Sequence, residues 1–387
     1  MKLFPCLGLN IKNLCSERLI TILQPSLNVI GGSTRFGLDL IHILKHANQE
    51  TAVITMPRTK WGYLEYYLSP PVERPDKEYW FFPFDIKLFS IYQGLLYRRL
   101  IVKNLTKILH TSKKNIIINN FGAFMPTYGS DIIYVHGVTA WGVPRSYYQS
   151  KLKHLYAFPY LSLAESRRNE LDSSTTCIAN SKYTNMRLRS IGVKADAVIY
   201  PPVATHIYSK LSRRKKDNDV ISISRLVRTK RVDFAIQLAE RMPEINFIII
   251  CYVSRASFNL LSDLFYRSRK LKNVQIYCNI NYKTRLQLLS RSKVILNMSR
   301  REHFGTALAE AISAGCTPII YPEGGPLEIV EGIEHYRAKT LEEAEDAVRN
   351  ALIEWNYQKS VQRVEATDSR FNFNRFAQEF IPVLERQ

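Results

Sequence analysis

The sequence predicts an α/β protein built from two open, parallel sheets. Three observations predict it. Short β-branched runs are apolar throughout, amphipathic stretches lie between them, and this grammar repeats on both sides of the proline pair Pro201-Pro202. Runs without polar alternation suit strands buried on both faces, and strand–helix alternation suits parallel sheets. A length of 387 residues fits two domains.

In the first half the strand candidates are Ser26–Ile30, Thr51–Thr55, Asn115–Asn119, Asp131–Val135 and Thr176–Ala179. In the second they are Asp219–Ser224, Asn246–Cys251, Asn273–Tyr277, Lys293–Met298 and Thr317–Tyr321. Between them fall helical patterns such as Leu38–His46 and Val232–Arg241, the latter with Phe234, Leu238 and Ala239 at helical spacing. The segment Tyr200-Pro201-Pro202-Val203, followed by a charged stretch to Asp219, reads as the hinge. The expected domains are therefore 1–202 and 203–370. The closing stretch Phe371–Leu384 carries Phe373, Phe376, Phe380 and Leu384 at helical spacing.

Hydrophobic residues make up 46% and charged residues 23%, a globular composition that excludes disorder. The net charge of +20 suits phosphate-bearing small molecules, an anionic membrane face or nucleic acid, and equally a solvated basic surface. No helix-turn-helix, zinc-finger or RNP pattern accompanies it, so no nucleic-acid partner is expected. The six cysteines form no CxxC pair; Cys177, Cys251 and Cys316 read as buried small hydrophobes in a reducing compartment. Lys12, Glu17 and Arg18 interrupt the early apolar run, and no stretch of about 18 apolar residues exists, so neither a signal peptide nor a membrane span is expected. The stretch 86–109 mixes Phe89, Tyr92, Leu95, Leu96 and Tyr97 with Arg98, Arg99, Lys103 and Lys107. It fits either a helix packed on its sheet or one docked at a membrane surface.

Four constellations carry candidate chemistry. Ile30-Gly31-Gly32-Ser33-Thr34 precedes a helix, where glycines admit a ligand to the backbone and helix amides face an anion; a plain turn looks the same. Arg225 and Lys230 project from the loop after a strand and could clamp a diphosphate, or form a solvated basic loop. Glu302 precedes the helix opened by Gly305 and Thr306, and Glu310 lies more than a turn inside it. The two carboxylates therefore reach different parts of a ligand and are not a close acid–base pair. His136, just past a strand, is either a ligand contact or structural. No DxD handle is present; Asp217 and Asp219 flank Asn218 in the charged linker, and no metal or other cofactor is expected.

These motifs resemble the retaining glycosyltransferases of family 4, over nearly the whole chain. The resemblance rests on Glu302-x7-Glu310, Ala314-Gly315-Cys316-Thr317-Pro318-Ile319-Ile320 and Gly324-Gly325-Pro326-Leu327-Glu328-Ile329-Val330, in that order, with Ala179–Thr184 and Ile199–Val203 before them. It implies the GT-B fold, two Rossmann-like domains with a donor cleft between them and a final helix (371–387) packing back on the first. It implies that Gly32 lies against the donor phosphates and that Arg225 and Lys230 bind the diphosphate. Glu302 would hold sugar hydroxyls, the backbone of Phe304, Gly305 and Thr306 would meet sugar or phosphate oxygens, Glu310 would bind the ribose, and His136 would contact the sugar. The implied reaction is transfer of a hexose of glucose or mannose type from a UDP- or GDP-sugar to a glycan acceptor on a lipid, without metal, at the cytoplasmic face of the inner membrane. A soluble glucan synthase-like transferase and a catalytically decayed sugar-nucleotide-binding protein are the alternatives. Departures from the family pattern are Ser224 and Arg231, where glycine is usual, and the glycine-free turn Cys251-Tyr252-Val253-Ser254.

Overall fold

A computed structural model describes residues 18–84, 97, 114–121, 129–138, 155, 158, 174–212, 215–254 and 257–387. The chain divides into two compact units. The first comprises residues 1–64, 71–200 and 376–387, and the second 65–70 and 201–375.

The first unit holds β1 (Arg18–Leu23), α1 (Gly32–His46), β2 (Glu50–Pro57), α2 (Trp61–Tyr67, whose last residues belong to the second unit), β3 (Lys77–Phe82), β4 (Lys114–Asn119), β5 (Ile132–Val135), β6 (Thr176–Ala179), α3 (Lys182–Arg189) and β7 (Ala197–Val198). The seven strands form one sheet in the order β3-β2-β1-β4-β5-β6-β7, all neighbours parallel. The chain runs outward from β1 to β2 and β3, then returns to β4 on the other side of β1. That reversal is the topological switch point at which α/β sheets collect ligands.

The first expected strand is corrected. Ser26–Ile30 is a loop, and β1 lies eight residues earlier. Both stretches are apolar, but Pro25 has no N–H for a ladder, and the Ser26 hydroxyl accepts from the Asn28 N–H to close a turn. Val29 is 58% exposed, whereas β1 is buried almost throughout and pairs on both edges. The short β7 and the half-buried β3 lack the continuous apolar signal of the central strands.

The second unit holds α4 (Thr205–Tyr208), β8 (Asp217–Arg225), α5 (Val232–Arg241), β9 (Asn246–Tyr252), α6 (Phe258–Ser268), β10 (Val274–Cys278), α7 (Tyr282–Arg291), β11 (Ser292–Asn297), α8 (Thr306–Ser313), β12 (Thr317–Ile320), α9 (Gly325–Ile329), β13 (Tyr336–Arg337), α10 (Leu341–Ile353) and α11 (Tyr357–Phe371). Its parallel sheet runs β10-β9-β8-β11-β12-β13, with the same reversal between β8 and β11. Helix α5 covers one face with Phe234, Ile236, Leu238 and Ala239, packed against Phe247 and Ile249 of β9 and Val294 and Leu296 of β11.

The charged linker is also corrected. Lys216 is buried, and its ammonium donates to the carbonyls of Leu289, Ser292 and Ala314. Asp219 is buried within β8 and pairs with Arg291 at 2.6 Å. A buried charge requires such partners, and the sequence cannot show that three carbonyls converge on Lys216. Arg213 and Arg214 lie outside the described residues, as does the stretch 86–109 apart from Tyr97, which is buried. Cys177, Cys251 and Cys316 are buried free thiols.

The last helix, α12 (Phe373–Glu385), enters the first unit at residue 376. There Phe376 stacks on Phe380 and meets Phe36 of α1 and Tyr134 of β5 edge-on. The aromatic spacing seen in the sequence is thus core packing of the first unit.

Candidate active site

In the second unit the candidate residues gather at the β8/β11 reversal. Arg225 ends β8, and Lys230 closes the short turn that follows. Lys230 donates to the Glu302 carboxylate in an ion pair; the two side chains are 17% and 18% exposed. Burial, and then the Arg225 charge, pull the Lys230 ammonium down to about 7. Desolvation also lowers the Arg225 guanidinium from its ordinary value. Two cations and a carboxylate therefore meet at the carboxyl ends of the two central strands.

The Glu302 loop is held from two sides. Arg300 N–H donates to the Thr229 carbonyl at 3.0 Å, tying it to the Lys230 turn. Gly325 N–H donates to the Glu302 carbonyl at 2.9 Å. Gly324 has φ +83°, and a Cβ there would sit 2.3 Å from the Glu302 carbonyl oxygen, so only glycine fits. Phe304 is buried with its ring edge-on to Phe371 at 5.5 Å. Gly305 takes φ +109° at the start of α8, and no side chain caps the helix. The opening amides at Thr306 thus form an anion-receptive helix start.

Glu310 lies elsewhere in chemistry. It is buried on α8, and its carboxylate accepts from Arg285 of α7 at 3.2 Å, each side chain being 7% exposed. Arg285 also donates to the Tyr208 hydroxyl at 2.8 Å and to Ser69 Oγ, which itself lies 3.0 Å from Tyr208. Burial alone would lower Arg285; the Glu310 carboxylate more than offsets it, and the guanidinium stays firmly charged. Burial pushes the Tyr208 phenol up, so it remains protonated. Sequence reasoning missed Arg285, because a single arginine in the polar helix Tyr-Lys-Thr-Arg-Leu gives no local sign of a buried partner.

Two of the three departures from glycine have a structural reason, and Ser224 has none. Arg231 adopts φ +49°, the left-handed conformation in which glycine is unstrained. Its guanidinium lies over the rings of Phe234 at 4.5 Å and Tyr321 at 5.4 Å, a cation–π contact that compensates. After β9, the Asn279 side chain accepts from Val253 N–H at 2.8 Å and shapes the turn that lacks glycine. The Ser224 hydroxyl is buried and has no hydrogen-bond partner among the described residues.

In the first unit His136 follows β5. Its Nε2 is 2.6 Å from Asn120 Oδ1. Asn120 is oriented by donating to Gln24 Oε1 at 2.5 Å and to the Ser33 carbonyl at 3.2 Å, so its oxygen faces His136. A carbonyl oxygen only accepts; the network therefore puts a proton on Nε2. Asn180 donates to the His136 carbonyl at 3.1 Å. Gln24, Asn120 and His136 follow β1, β4 and β5, the strands at this unit's reversal. Gly32 is the first residue of α1, whose first turn is uncapped by any side chain. The Gly31–Thr34 turn is thus a helix start reached by an eight-residue loop from β1.

Residues 205–364 match the family described as "Glycosyl transferases group 1". A GDP-Man:Man(3)GlcNAc(2)-PP-Dol alpha-1,2-mannosyltransferase of Candida albicans is 25% identical over 175 residues, 39% of this chain and 29% of that protein. The chain thus matches under a third of the length of this curated relative. Among solved structures, Anabaena HepE in complex with UDP and glucose aligns at TM-score 0.66 and 18% identity, covering 95% of this chain and 99% of HepE. The sucrose-phosphate synthase of Thermosynechococcus elongatus aligns at TM-score 0.69 and 13% identity, covering 95% and 98%. WaaG, a glycosyltransferase involved in lipopolysaccharide biosynthesis, aligns at TM-score 0.63 and 13% identity, covering 94% and 98%. These likenesses establish the fold as GT-B, two Rossmann-like units. The family match lies wholly within the second unit. No described helix is long and apolar enough to cross a membrane.

Proposed function

We propose that the protein is a retaining hexosyltransferase, moving a glucose- or mannose-type sugar from a UDP- or GDP-sugar to a glycan acceptor carried on a lipid. The observation that carries this reading is the meeting of Arg225, Lys230 and Glu302 beside the uncapped start of α8. Cations at that position can balance the charge that grows on a departing diphosphate, the largest single contribution to such a transfer. A donor diphosphate would take Lys230 and free Glu302 to accept from sugar hydroxyls. The Arg285 pair orients Glu310 as a ribose acceptor. In the first unit His136, with its Nε2 proton fixed by Asn120, is suited to a sugar oxygen.

Retention follows front-face attack in which the leaving phosphate accepts the acceptor's proton, so no protein base is invoked. Because Arg225 and Lys230 compensate the phosphate charge, turnover is expected to need no divalent metal. The lipid-linked acceptor is supported by the dolichol-linked substrate in the name of the Candida relative and by the +20 charge, which suits an anionic membrane face at the cytoplasmic side.

The test is a thermal-shift panel of nucleotide-sugars, followed by turnover of the best binder with a lipid-linked glycan in EDTA. A ligand that binds only the folded state raises its melting temperature. One sugar nucleotide is expected to do so, and Lys230→Ala and Glu302→Gln to abolish the shift. No shift with any donor, or unchanged binding in both variants, refutes the site. Activity lost in EDTA and restored by Mg²⁺ or Mn²⁺ refutes the metal-free reading.

A further inference from the structure

The first unit carries a cluster that sugar transfer does not use. His42 and His46 stand one turn apart near the end of α1, with ring centroids 4.1 Å apart. Glu73, from the segment between α2 and β3, brings Oε1 to 2.9 Å from His42 Nδ1. One donor atom from each of the three residues lies within 4.8 Å of the other two. His46 Nδ1 is 2.9 Å from the His42 carbonyl oxygen, which only accepts; the ring therefore donates from Nδ1 and carries its lone pair on Nε2.

We propose that His42, His46 and Glu73 form a binding site for a divalent transition-metal ion of the zinc type, with a further position left for water. Two imidazoles and one carboxylate are a donor set for such ions, whereas Mg²⁺ and Ca²⁺ select oxygen ligands. Bonds of about 2.0–2.1 Å in a tetrahedron put ligand atoms about 3.3 Å apart. The separations, at most 4.8 Å, must therefore close by up to about 1.5 Å. His46 is exposed and Glu73 half-buried, so both can swing by rotamer changes toward the buried His42. Two of the surrounding cations are paired with carboxylates, and a third packs on a ring. Arg35 pairs with buried Asp39, Lys45 pairs with Asp76 at 3.1 Å, and the Arg74 guanidinium lies against the Trp61 ring. Glu73 supplies the anionic charge among the three ligands.

The ion would clamp the end of α1 to the chain before β3. Gly32 opens the same helix, about 21 Å away along its axis, so the site braces the helix that presents Gly32 and stands apart from the transfer chemistry. The His-x-x-x-His spacing is visible in the sequence; the glutamate arriving from another segment is not.

The test uses the full-length protein stripped with a chelator and dialysed, titrated with ZnCl₂ by calorimetry and with CoCl₂ by visible absorption. One equivalent of Zn²⁺ is expected to bind and to raise the melting temperature by several degrees, and the Co²⁺ spectrum to lack a thiolate charge-transfer band. His46→Ala, an exposed position that spares the fold, is expected to weaken Zn²⁺ binding at least tenfold, and Glu73→Gln about tenfold. Cys278→Ser, which alters the Cys251–Cys278 thiol pair, should change nothing. No binding of either ion, unchanged affinity in both His46→Ala and Glu73→Gln, a thiolate band, or loss of binding in Cys278→Ser overturns the proposal.

Discussion

Replacing Arg285 by methionine should destabilise the second unit strongly, because it strands a buried carboxylate. Arg285 and Glu310 are each 7% exposed, and the guanidinium also serves Tyr208 and Ser69. Removing one partner of a buried pair costs about 3–5 kcal/mol, since the remaining charge has neither water nor partner. At about 2–4 °C per kcal/mol for a unit of this size, the melting temperature should fall by about 6–20 °C. Urea denaturation of the full chain measures this. The double variant Arg285→Met/Glu310→Met, which removes both charges, should recover most of the loss. A deficit under about 1 kcal/mol, or a double variant no more stable than the single one, would refute the buried-pair reasoning.

Three further outcomes are expected. Donor binding should weaken as pH rises above 7, because Lys230 sits near that value and loses its charge, as calorimetry across a pH series would reveal. Gly324→Ala should cost at least about 1–2 kcal/mol, since its Cβ would meet the Glu302 carbonyl at 2.3 Å with φ +83°, and donor affinity should fall with it; a stable variant with normal affinity contradicts the steric argument. His136→Ala should lower kcat on the order of 10²-fold with modest change in nucleoside-diphosphate affinity, measured by steady-state kinetics beside UDP and GDP titrations.

The legibility of the site varies with how local each signal is. The Glu302–Glu310 segment could be read because a buried strand, a glycine and a helix start lie in one run of chain. Glu302's partner could not, because Lys230 reaches it from 72 residues away across the β8/β11 reversal. The same holds for Glu310. Spacing separates it from Glu302, but only packing supplies Arg285 from α7 and Tyr208 from α4. The loop at Ser26–Ile30 was misread for the converse reason: apolar residues and a proline say nothing of which run has neighbours on both edges.

The sequence by itself determined that the chain is a pair of parallel α/β units with acidic and basic residues at strand ends, because hydrophobic runs and glycine turns act over a few residues. Tertiary structure alone decided which charges are paired. It turned Lys216 and Asp219 from linker into core, joined Lys230 to Glu302, enclosed Glu310 with Arg285, and brought Glu73 to His42. Those outcomes depend on which distant groups share a place without water, and burial sets that only when the sheets are assembled.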